Sequence, residues 1–312
     1  ELEFEPKLYR LLQEIVDKRS GFSARITELG WTSSFSPKHF VTKKLRVGRV
    51  FLAGDAAHIH SPVGGQGLNT GIQDVHNLIW KLALVHRGAG NPALLETYQM
   101  ERHAVAEAMI NNVRRATKML TLRGAWSQQM RNRIASVLMQ LSGVRDRLGS
   151  HVGMLHLRYE AGSAIHEPRS SFLHPGHPRA GERACRFAAF PALSKSLQGP
   201  KHTLLLFEGL HGQTSSARTQ SVVDQARALG RDNVRIVRVR KCKDSVNDDA
   251  GGMVLADPLG EMHRAYGAVK SAVLWIRPDT YVGFRGTFQD LEALEQYLRA
   301  MFVPAVAPSS GA

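Results

Sequence analysis

The sequence predicts a mixed α/β (α+β) chain, and three observations lead to this prediction. Residues 50–53 are a short apolar run that is typical of a buried strand and ends at Gly54-Asp55. Apolar residues then recur at the helical spacing of three and four, at Ile72, Val75, Leu78, Ile79, Leu82 and Val85. Strand-like and helix-like stretches alternate beyond residue 200. The length of 312 residues predicts about two domains.

The first part of the chain is predicted to run from residue 1 to residue 160. Residues 1–19, ELEFEPKLYRLLQEIVDKR, have the pattern of an amphipathic helix. Residues 22–46 favour antiparallel strands that break near Ser36-Pro37. The helix predicted from Asn69 or Thr70 to about Arg87 ends at Gly88 and Gly90, and a second helical tract begins at Asn91-Pro92 and extends toward Leu120.

The second part is predicted to follow a linker at 161–184, which is rich in Pro, Gly, Ser and His. The pattern over residues 185–303 predicts strands at 202–207 and 234–239, a hairpin over 272–285, and helices at 220–229, 258–266 and 290–301. The resulting order, β-α-β-α-β-β-α, is typical of a thioredoxin-like domain. Residues 304–312 are low in complexity, and we expect them to be disordered.

Charge and cysteine content narrow the functional classes. The chain carries 41 Lys and Arg against 27 Asp and Glu, a formal net charge of +14, yet the basic residues are scattered. No zinc-finger spacing or RNA-binding signature accompanies them, so we expect no nucleic-acid partner, and instead a field that attracts anionic ligands. The two cysteines form no CxxC motif, and no metal site is predicted. Without a signal peptide pattern or a membrane-span pattern, a cytoplasmic location is expected.

One stretch, GRVFLAGDAAHIHSPVGGQGLNTG at residues 48–71, has the composition of a ligand-binding loop. Gly64, Gly65 and Gly67 allow the backbone to approach a flat ligand, and the start of the following helix favours negative charge. The Asp55 carboxylate can accept hydrogen bonds from sugar or polyol hydroxyls. The loop lacks the lysine of a phosphate-binding P-loop and matches a dinucleotide fingerprint only in part, so a purely structural glycine-rich turn stays open as the alternative.

The same residues resemble a known family. GRVFLAGDAAHIHSPVGGQGLNTGIQDVHNLIWKLALV is similar to the second flavin-binding signature of the FAD-dependent aromatic hydroxylases, the class A flavoprotein monooxygenases of the para-hydroxybenzoate and phenol hydroxylase type. LLETYQMERHAVA resembles the helix that follows in that family. LADPLGEMHRAYGA and WIRPDTYVGFRG resemble the thioredoxin-like carboxyl-terminal domain of the phenol and polyketide hydroxylase branches.

The resemblance implies an enzyme in which NADPH or NADH reduces FAD and O2 supplies oxygen for hydroxylation of a phenolic or polyketide-like aromatic substrate. It implies that Gly54 and Asp55 meet the ribityl and pyrophosphate region of FAD. Pro62 would lie beside the isoalloxazine ring and the substrate, and Gly65, Gly67, Leu68 and Asn69 would wrap the pyrimidine edge. Trp31 and Phe35 are candidate substrate contacts, with packing in a sheet core as the alternative.

No side chain is assigned as a catalytic acid or base. His58 and His60 lie in the loop, where a local hydrogen bond is the first interpretation and proton transfer the second. Related flavoenzymes such as halogenases, and a non-enzymatic interaction protein or homo-oligomer built on the thioredoxin-like domain, are the alternative functions.

The amino-terminal dinucleotide fingerprint of the family does not occur before Phe22. We therefore expect the chain to correspond to the carboxyl-terminal portion of a longer enzyme. It would then be a truncated product, a subunit completed by a separate chain, or a remnant without flavin. In each case exposed apolar surface is expected where the other portion would pack.

Overall fold

The computed structural model describes residues 4–22, 24–31, 38–61, 65–120, 157–160, 164–168, 178–184, 189–210, 216–244, 246–247 and 252–303, with isolated positions at 130, 133, 136, 140, 143–144 and 162. The chain forms two compact units, Glu1–Pro37 and Lys38–Ala312. The predicted tail at 304–312 lies outside the described residues. The predicted boundaries 1–160, 161–184 and 185–303 stay a prediction.

The first unit contains helix α1, Phe4–Arg19, as its sequence pattern predicts. The side chain of Gln13 donates a hydrogen bond to the Ala24 carbonyl oxygen at 2.7 Å and accepts one from the Ile26 N–H at 2.8 Å. These bonds tie the helix to the extended residues that follow it. The described residues 24–31 have no regular secondary structure, so the strands predicted over 22–46 are wrong in this part, whereas residues 40–41 and 46–47 do form short antiparallel strands.

The second unit begins with four very short strands. Strand β1, Phe40–Val41, pairs antiparallel with β4, His58–Ile59, and β2, Arg46–Val47, forms a hairpin with β3, Val50–Phe51. The hairpin turns at Gly48, whose φ of +59° favours glycine. The predicted buried strand at 50–53 is therefore two residues long, and the Val50 side chain is 64% exposed.

Two long helices follow the loop. Helix α2 spans Gly67–His86, and a 3₁₀ turn at Pro92–Leu95 leads into α3, Glu96–Leu120. The Asn91 side chain caps this turn by accepting the Ala93 N–H at 3.0 Å, and Pro92 occupies the first position, where a missing N–H costs nothing. Both helical tracts agree with the sequence pattern.

A six-stranded sheet fills the carboxyl-terminal part. Its strands are β5, His202–Phe207, β6, Val234–Arg240, β7, Val246–Asn247, β8, Met253–Ala256, β9, Ala272–Ile276, and β10, Val282–Gly286. Their order across the sheet is β10-β9-β5-β6-β8-β7, with β5, β6 and β8 parallel and the other neighbours antiparallel. The helices are α4, Pro191–Ser196, α5, Ser216–Gly230, α6, Glu261–Ala265, and α7, Leu291–Met301.

Both faces of this sheet are buried. Leu204 and Leu206 of β5 point to one face and join a core with residues of α5, α7 and α2, whereas Leu205 and Phe207 point to the other face. A strand that is covered on both sides favours apolar residues on both faces, which explains the apolar run LLLF at 204–207. All four strands and three helices predicted after residue 200 are present, but β7 and β8 were not predicted.

The described part of 157–184 packs along β10. The Gly181 N–H donates to the Val282 carbonyl oxygen at 2.8 Å, and the His166 N–H donates to that of Gly283 at 2.7 Å. Gly181 has a φ of +87°, and a Cβ there would lie 2.1 Å from the Tyr159 carbonyl oxygen, so only glycine fits. Tyr159, Ala164 and Ile165 are buried. The stretch predicted as a linker thus contributes to the core where it is described.

Candidate functional site

The loop that begins at Gly54 lies directly on the first turns of α2. Gly54–Ala56 forms a 3₁₀ turn, in which Gly54 has a φ of +59°. A Cβ on Gly71 would come within 3.3 Å of the Gly54 Cα atom. Glycine at both positions therefore allows the strand-to-helix turn and the helix to approach each other closely.

A buried carboxylate on α2 fixes this turn. Asp74 is 1% exposed, and its Oδ2 atom accepts the Gly54 N–H at 3.1 Å and lies 2.7 Å from Nε2 of His58. Its Oδ1 atom accepts a hydrogen bond from Nε of Arg102 at 2.7 Å. One side chain thus holds the beginning of the loop, the adjacent strand β4 and helix α3 together.

The electrostatics favour the ionised form of Asp74. Burial alone would raise the pKa of this carboxyl, but the hydrogen bond from His58 and the charge and hydrogen bond of Arg102 lower it more, and the net shift is downward. A buried carboxylate is tolerated because its oxygens are hydrogen-bonded and a buried cation faces it.

The outer side of the loop is open. Asp55, Ala56 and Gly65 are exposed, and the Asp55 carboxylate makes no hydrogen bond to the described residues. The N-cap residue of α2, Gln66, makes no capping bond with its side chain, so the described side chains leave the first N–H groups, at Gly67, Leu68 and Asn69, uncapped. An exposed carboxylate and the positive end of a 20-residue helix therefore border the same loop.

The structure describes only some of the remaining predicted site residues. Pro62 and Phe35 lie outside the described residues. Trp31 is 84% exposed, so it packs in no sheet core among the described residues. The roles of all these residues toward a cofactor or substrate stay predictions.

Both loop histidines make local hydrogen bonds, as the first interpretation of the sequence expects. His58 is buried against Asp74, and Nδ1 of His60 lies 2.7 Å from the Ser61 carbonyl oxygen. The Nε2 atom of His60 has no partner among the described residues, and a Cβ on Gly67 would lie 3.2 Å from it. The ring therefore fills the space beside the start of α2.

A second buried cluster lies two helical turns further along α2. The guanidinium of Arg277, in the turn between β9 and β10, donates to both carboxylate oxygens of Glu101 at 2.7 and 2.8 Å. It also donates from Nε to Asp279 at 3.0 Å, while Nζ of Lys81 donates to Glu101 at 2.9 Å. Two cations and two carboxylates, all less than a tenth exposed, therefore balance one another.

The charges in this cluster depend on one another. Burial lowers the pKa of Lys81 to about 8, although Glu101 opposes this shift. Burial alone would raise the pKa of Glu101, but Arg277 and Lys81 together lower it to about 2. The carboxylate is thus ionised whenever the fold is intact near neutral pH.

The opposite face of α2 is apolar and exposed. Its side chains are spaced by four, three and four residues: Leu68 is 77% exposed, Ile72 58%, Val75 52% and Ile79 54%. We call these four residues the exposed stripe. A contiguous apolar row on a surface helix is typical of a surface that another protein segment covers, and exposed apolar surface of this kind is what the sequence predicts.

The sequence analysis missed Asp74, Arg102, Glu101 and Arg277. A signal was present, because polar residues recur on α2 with helical spacing, at Thr70, Asp74, Asn77 and Lys81. All four are buried, so this polar row, not the apolar one, faces the protein interior. Among the described residues, no helix is long and apolar enough to cross a membrane, and no three potential ligands gather as a metal site would require.

Comparison with known proteins identifies the class. Residues 3–113 match the model of the FAD binding domain family, FAD_binding_3. The relatives that the chain resembles are FAD-dependent aromatic monooxygenases, so the resemblance inferred from the sequence and the α/β fold are confirmed. FAD is the cofactor of that class.

The chain is similar to enzymes that are named for their action on 6-methylpretetramide and on pentachlorophenol. Over 307 residues it is 31% identical to 6-methylpretetramide 4-monooxygenase of Streptomyces rimosus. The aligned region covers 93% of this chain and 51% of that protein. The chain is 30% identical over 293 residues to pentachlorophenol 4-monooxygenase of Sphingobium chlorophenolicum, with coverages of 90% and 50%. The solved structure of the anhydrotetracycline hydroxylase OxyS from Streptomyces rimosus superposes with a TM-score of 0.65 at 26% identity, over 95% of this chain and 54% of that one. The chain thus spans about half the length of the relatives it matches.

Proposed function

We propose that this chain belongs to an FAD-dependent monooxygenase that uses NADPH or NADH and O2 to hydroxylate a phenolic or polyketide-like aromatic compound. One observation carries the proposal. Asp74 anchors Gly54 from inside, while Asp55, Gly65 and, at the start of α2, Leu68 are exposed. A loop held in this way offers a fixed acceptor and fixed N–H donors to a ligand.

The donors and acceptors present suit a flavin. The Asp55 carboxylate can accept hydrogen bonds from ribityl hydroxyls, and the N–H groups of Leu68 and Asn69 can donate to the N1 and O2 edge of the ring. When FAD is bound, it supplies the redox and oxygen chemistry. The helix start stabilises negative charge at that edge, and Gly65, with a φ of +62°, leaves no Cβ between the backbone and a flat ring.

Substrate contacts belong to the same proposal. Pro62 is proposed to border both the ring and the substrate, and Trp31 and Phe35 to line an apolar pocket. The names of the relatives support aromatic substrates, since one acts on 6-methylpretetramide and another on pentachlorophenol. A screen of phenols that follows NADPH or NADH consumption tests this part of the proposal, and a chain that shows flavin binding but no substrate-dependent consumption would contradict it.

The flavin site is tested by titrating the chain with FAD and following flavin fluorescence. We expect saturable binding that Asp55→Ala weakens about tenfold, because a hydrogen bond to a charged acceptor is lost. Asp244→Ala, which removes an exposed carboxylate in the turn after β6, is the matched control and should bind as the unchanged chain does. Absence of binding at high micromolar FAD, or equal loss in both variants, would contradict the proposed site.

We further propose a cytoplasmic, thioredoxin-like carboxyl-terminal domain that contributes to homo-oligomer contacts. Leu259 and Val269, which border α6, are 68% and 44% exposed and provide apolar surface for such contacts. Light scattering on the chain and on a Leu259→Glu variant tests the oligomer: a smaller mass for the variant supports it, and identical monomeric masses contradict it.

A further inference from the structure

Two buried ionic clusters lie side by side in the second unit, and their partners come from distant parts of the sequence. One contains Asp74 and Arg102 and holds the loop at Gly54. The other contains Lys81, Glu101 and Arg277 and includes the turn between β9 and β10. Burying so many charges is costly unless each is held by several hydrogen bonds, so the positions of these side chains are mutually dependent.

Helix α3 joins the two clusters directly. Glu101 and Arg102 are consecutive residues, and both side chains are buried, at 7% and 0% exposure. Glu101 is bound bidentately by Arg277, whereas Arg102 binds Asp74. A displacement of Glu101 by the hairpin turn would therefore move the neighbouring residue that holds the loop.

A tyrosine hydroxyl provides the second connection. The Tyr159 oxygen accepts a hydrogen bond from Nη1 of Arg102 at 3.1 Å and lies 3.4 Å from Nδ2 of Asn77. Asn77 in turn donates to Glu101 at 2.5 Å. The guanidinium of Arg277 also lies over the Tyr159 ring, 5.3 Å from its centroid. The hydroxyl thus lies between the cluster that holds the hairpin and the cluster that holds the loop.

We propose that Arg277 and Tyr159 are positioning residues for the loop that begins at Gly54, the proposed flavin-binding loop. Through these two residues, the turn between β9 and β10 fixes the Gly54 backbone and His58. The polar path runs from Arg277 through Glu101 and its neighbour Arg102 to Asp74. The link to flavin rests on the proposed function, but the fixing of the loop can be measured without any cofactor.

The structure provides a matched pair of tyrosines for the test. Tyr281 stacks on Tyr159 with ring centroids 4.2 Å apart, and both rings are buried. The Tyr281 hydroxyl has no hydrogen-bond partner among the described residues, whereas that of Tyr159 bridges Arg102 and Asn77. Tyr159→Phe and Tyr281→Phe remove the same atom from the same stacked pair, and only the first removes a hydroxyl that joins Arg102 to Asn77.

The primary measurement is amide hydrogen exchange in the cofactor-free chain, read at Gly54 and, as an internal reference, at Leu205 in the centre of β5. We expect Tyr159→Phe to lower the protection of the Gly54 amide about tenfold, since a hydrogen bond to a charged group is lost, with Leu205 unchanged. Tyr281→Phe should leave both amides unchanged. Equal effects of the two variants on Gly54, or no effect of Tyr159→Phe, would overturn the inference.

Arg277→Lys tests the origin of the path in the hairpin, because lysine keeps the charge but cannot bind Glu101 through two parallel hydrogen bonds. Protection at Gly54 should fall more than at Leu205, and a fall at Leu205 alone would overturn this part. FAD titration of the same variants separates the two proposals. If the unchanged chain binds no FAD while the Gly54 result holds, the proposed function fails and the positioning role stands.

Discussion

The inward side of helix α2 carries a row of polar side chains beside three buried apolar ones, whereas its outward side carries an apolar row. Thr70, Asp74, Asn77 and Lys81 point inward and are at most 1% exposed, whereas the exposed stripe of Leu68, Ile72, Val75 and Ile79 points outward. Each row follows the same spacing of three and four residues. The buried row is polar because its side chains bind groups from α3, the loop and the hairpin turn, while the outer row makes no comparable contacts among the described residues.

This difference shows that the helix has two separate tasks. Its inner row is a structural connection, in which each polar group must have a partner because an unsatisfied buried charge costs about 3–5 kcal/mol. Its outer row has little effect on the free energy of unfolding, because exposed apolar residues on a surface do not destabilise a fold. Substitutions on the two faces should therefore differ strongly in their effects.

The largest effect is expected from Asp74→Asn. This change keeps the size of the side chain but leaves the fully buried Arg102 without its anionic partner. We expect the free energy of unfolding to fall by about 3–5 kcal/mol, measured by urea denaturation.

Asp244→Asn is the control for that variant, because it makes the same chemical change at an exposed carboxylate. It should alter the free energy of unfolding by less than about 0.5 kcal/mol. Similar small losses in both variants would mean that Asp74 does not hold the loop and the helices together.

The next effect is a loss of stability in acid. Glu101 has its pKa lowered from 4.5 to about 2 in the folded chain, so the unfolded chain takes up this proton first as the pH falls. Stability from this group is therefore fully present above pH 4.5 and is lost as the pH falls toward 2, by about 3 kcal/mol when complete. Asp74, whose pKa is also lowered, adds to the loss in the same direction.

Urea midpoints measured from about pH 7 to about pH 3 test this prediction. Glu101→Gln should be less stable at neutral pH and should show a flatter decline with falling pH, because the group that takes up the proton is gone. Glu292→Gln, a substitution at the first turn of α7, should follow the unchanged chain. An unaltered slope in Glu101→Gln would show that other carboxylates carry the acid sensitivity.

The sequence predicted the regular elements of the sheet better than the polar interior. The run LLLF at 204–207 and the strands of the hairpin at 272–285 carry their structure locally, because strands buried on both faces favour continuous apolar residues. Asp74 and Arg277 could not be predicted as interior residues, since their partners lie 28 and 176 positions away in the chain. A buried charge can be predicted only when its partner is known, because charged residues are otherwise expected at the surface.

The loop that begins at Gly54 could be predicted from the sequence only in part. Gly54 and Asp55 were recognised as site candidates from local composition and from resemblance, and the structure adds what anchors them, the Asp74 carboxylate on the next helix. The short strands around the loop were less predictable, because two-residue pairings such as that of β1 with β4 depend on contacts rather than on a sequence period.

The smallest effect on stability is expected on the outer face of α2. Ile72→Glu replaces a side chain that is 58% exposed, so the free energy of unfolding should change by less than about 0.5 kcal/mol. Self-association should nevertheless decrease, because a charge interrupts the exposed stripe. Sedimentation velocity at increasing protein concentration measures the association, and urea denaturation measures the stability.

Leu11→Glu makes the same kind of change at an exposed leucine, 54% exposed, on α1 and outside the stripe. If the stripe is the surface responsible for association at high concentration, Ile72→Glu should reduce it more than Leu11→Glu does. A loss of stability in Ile72→Glu as large as that in Asp74→Asn would contradict the assignment of the two faces, because it would show that the outer row is packed against protein as closely as the inner one.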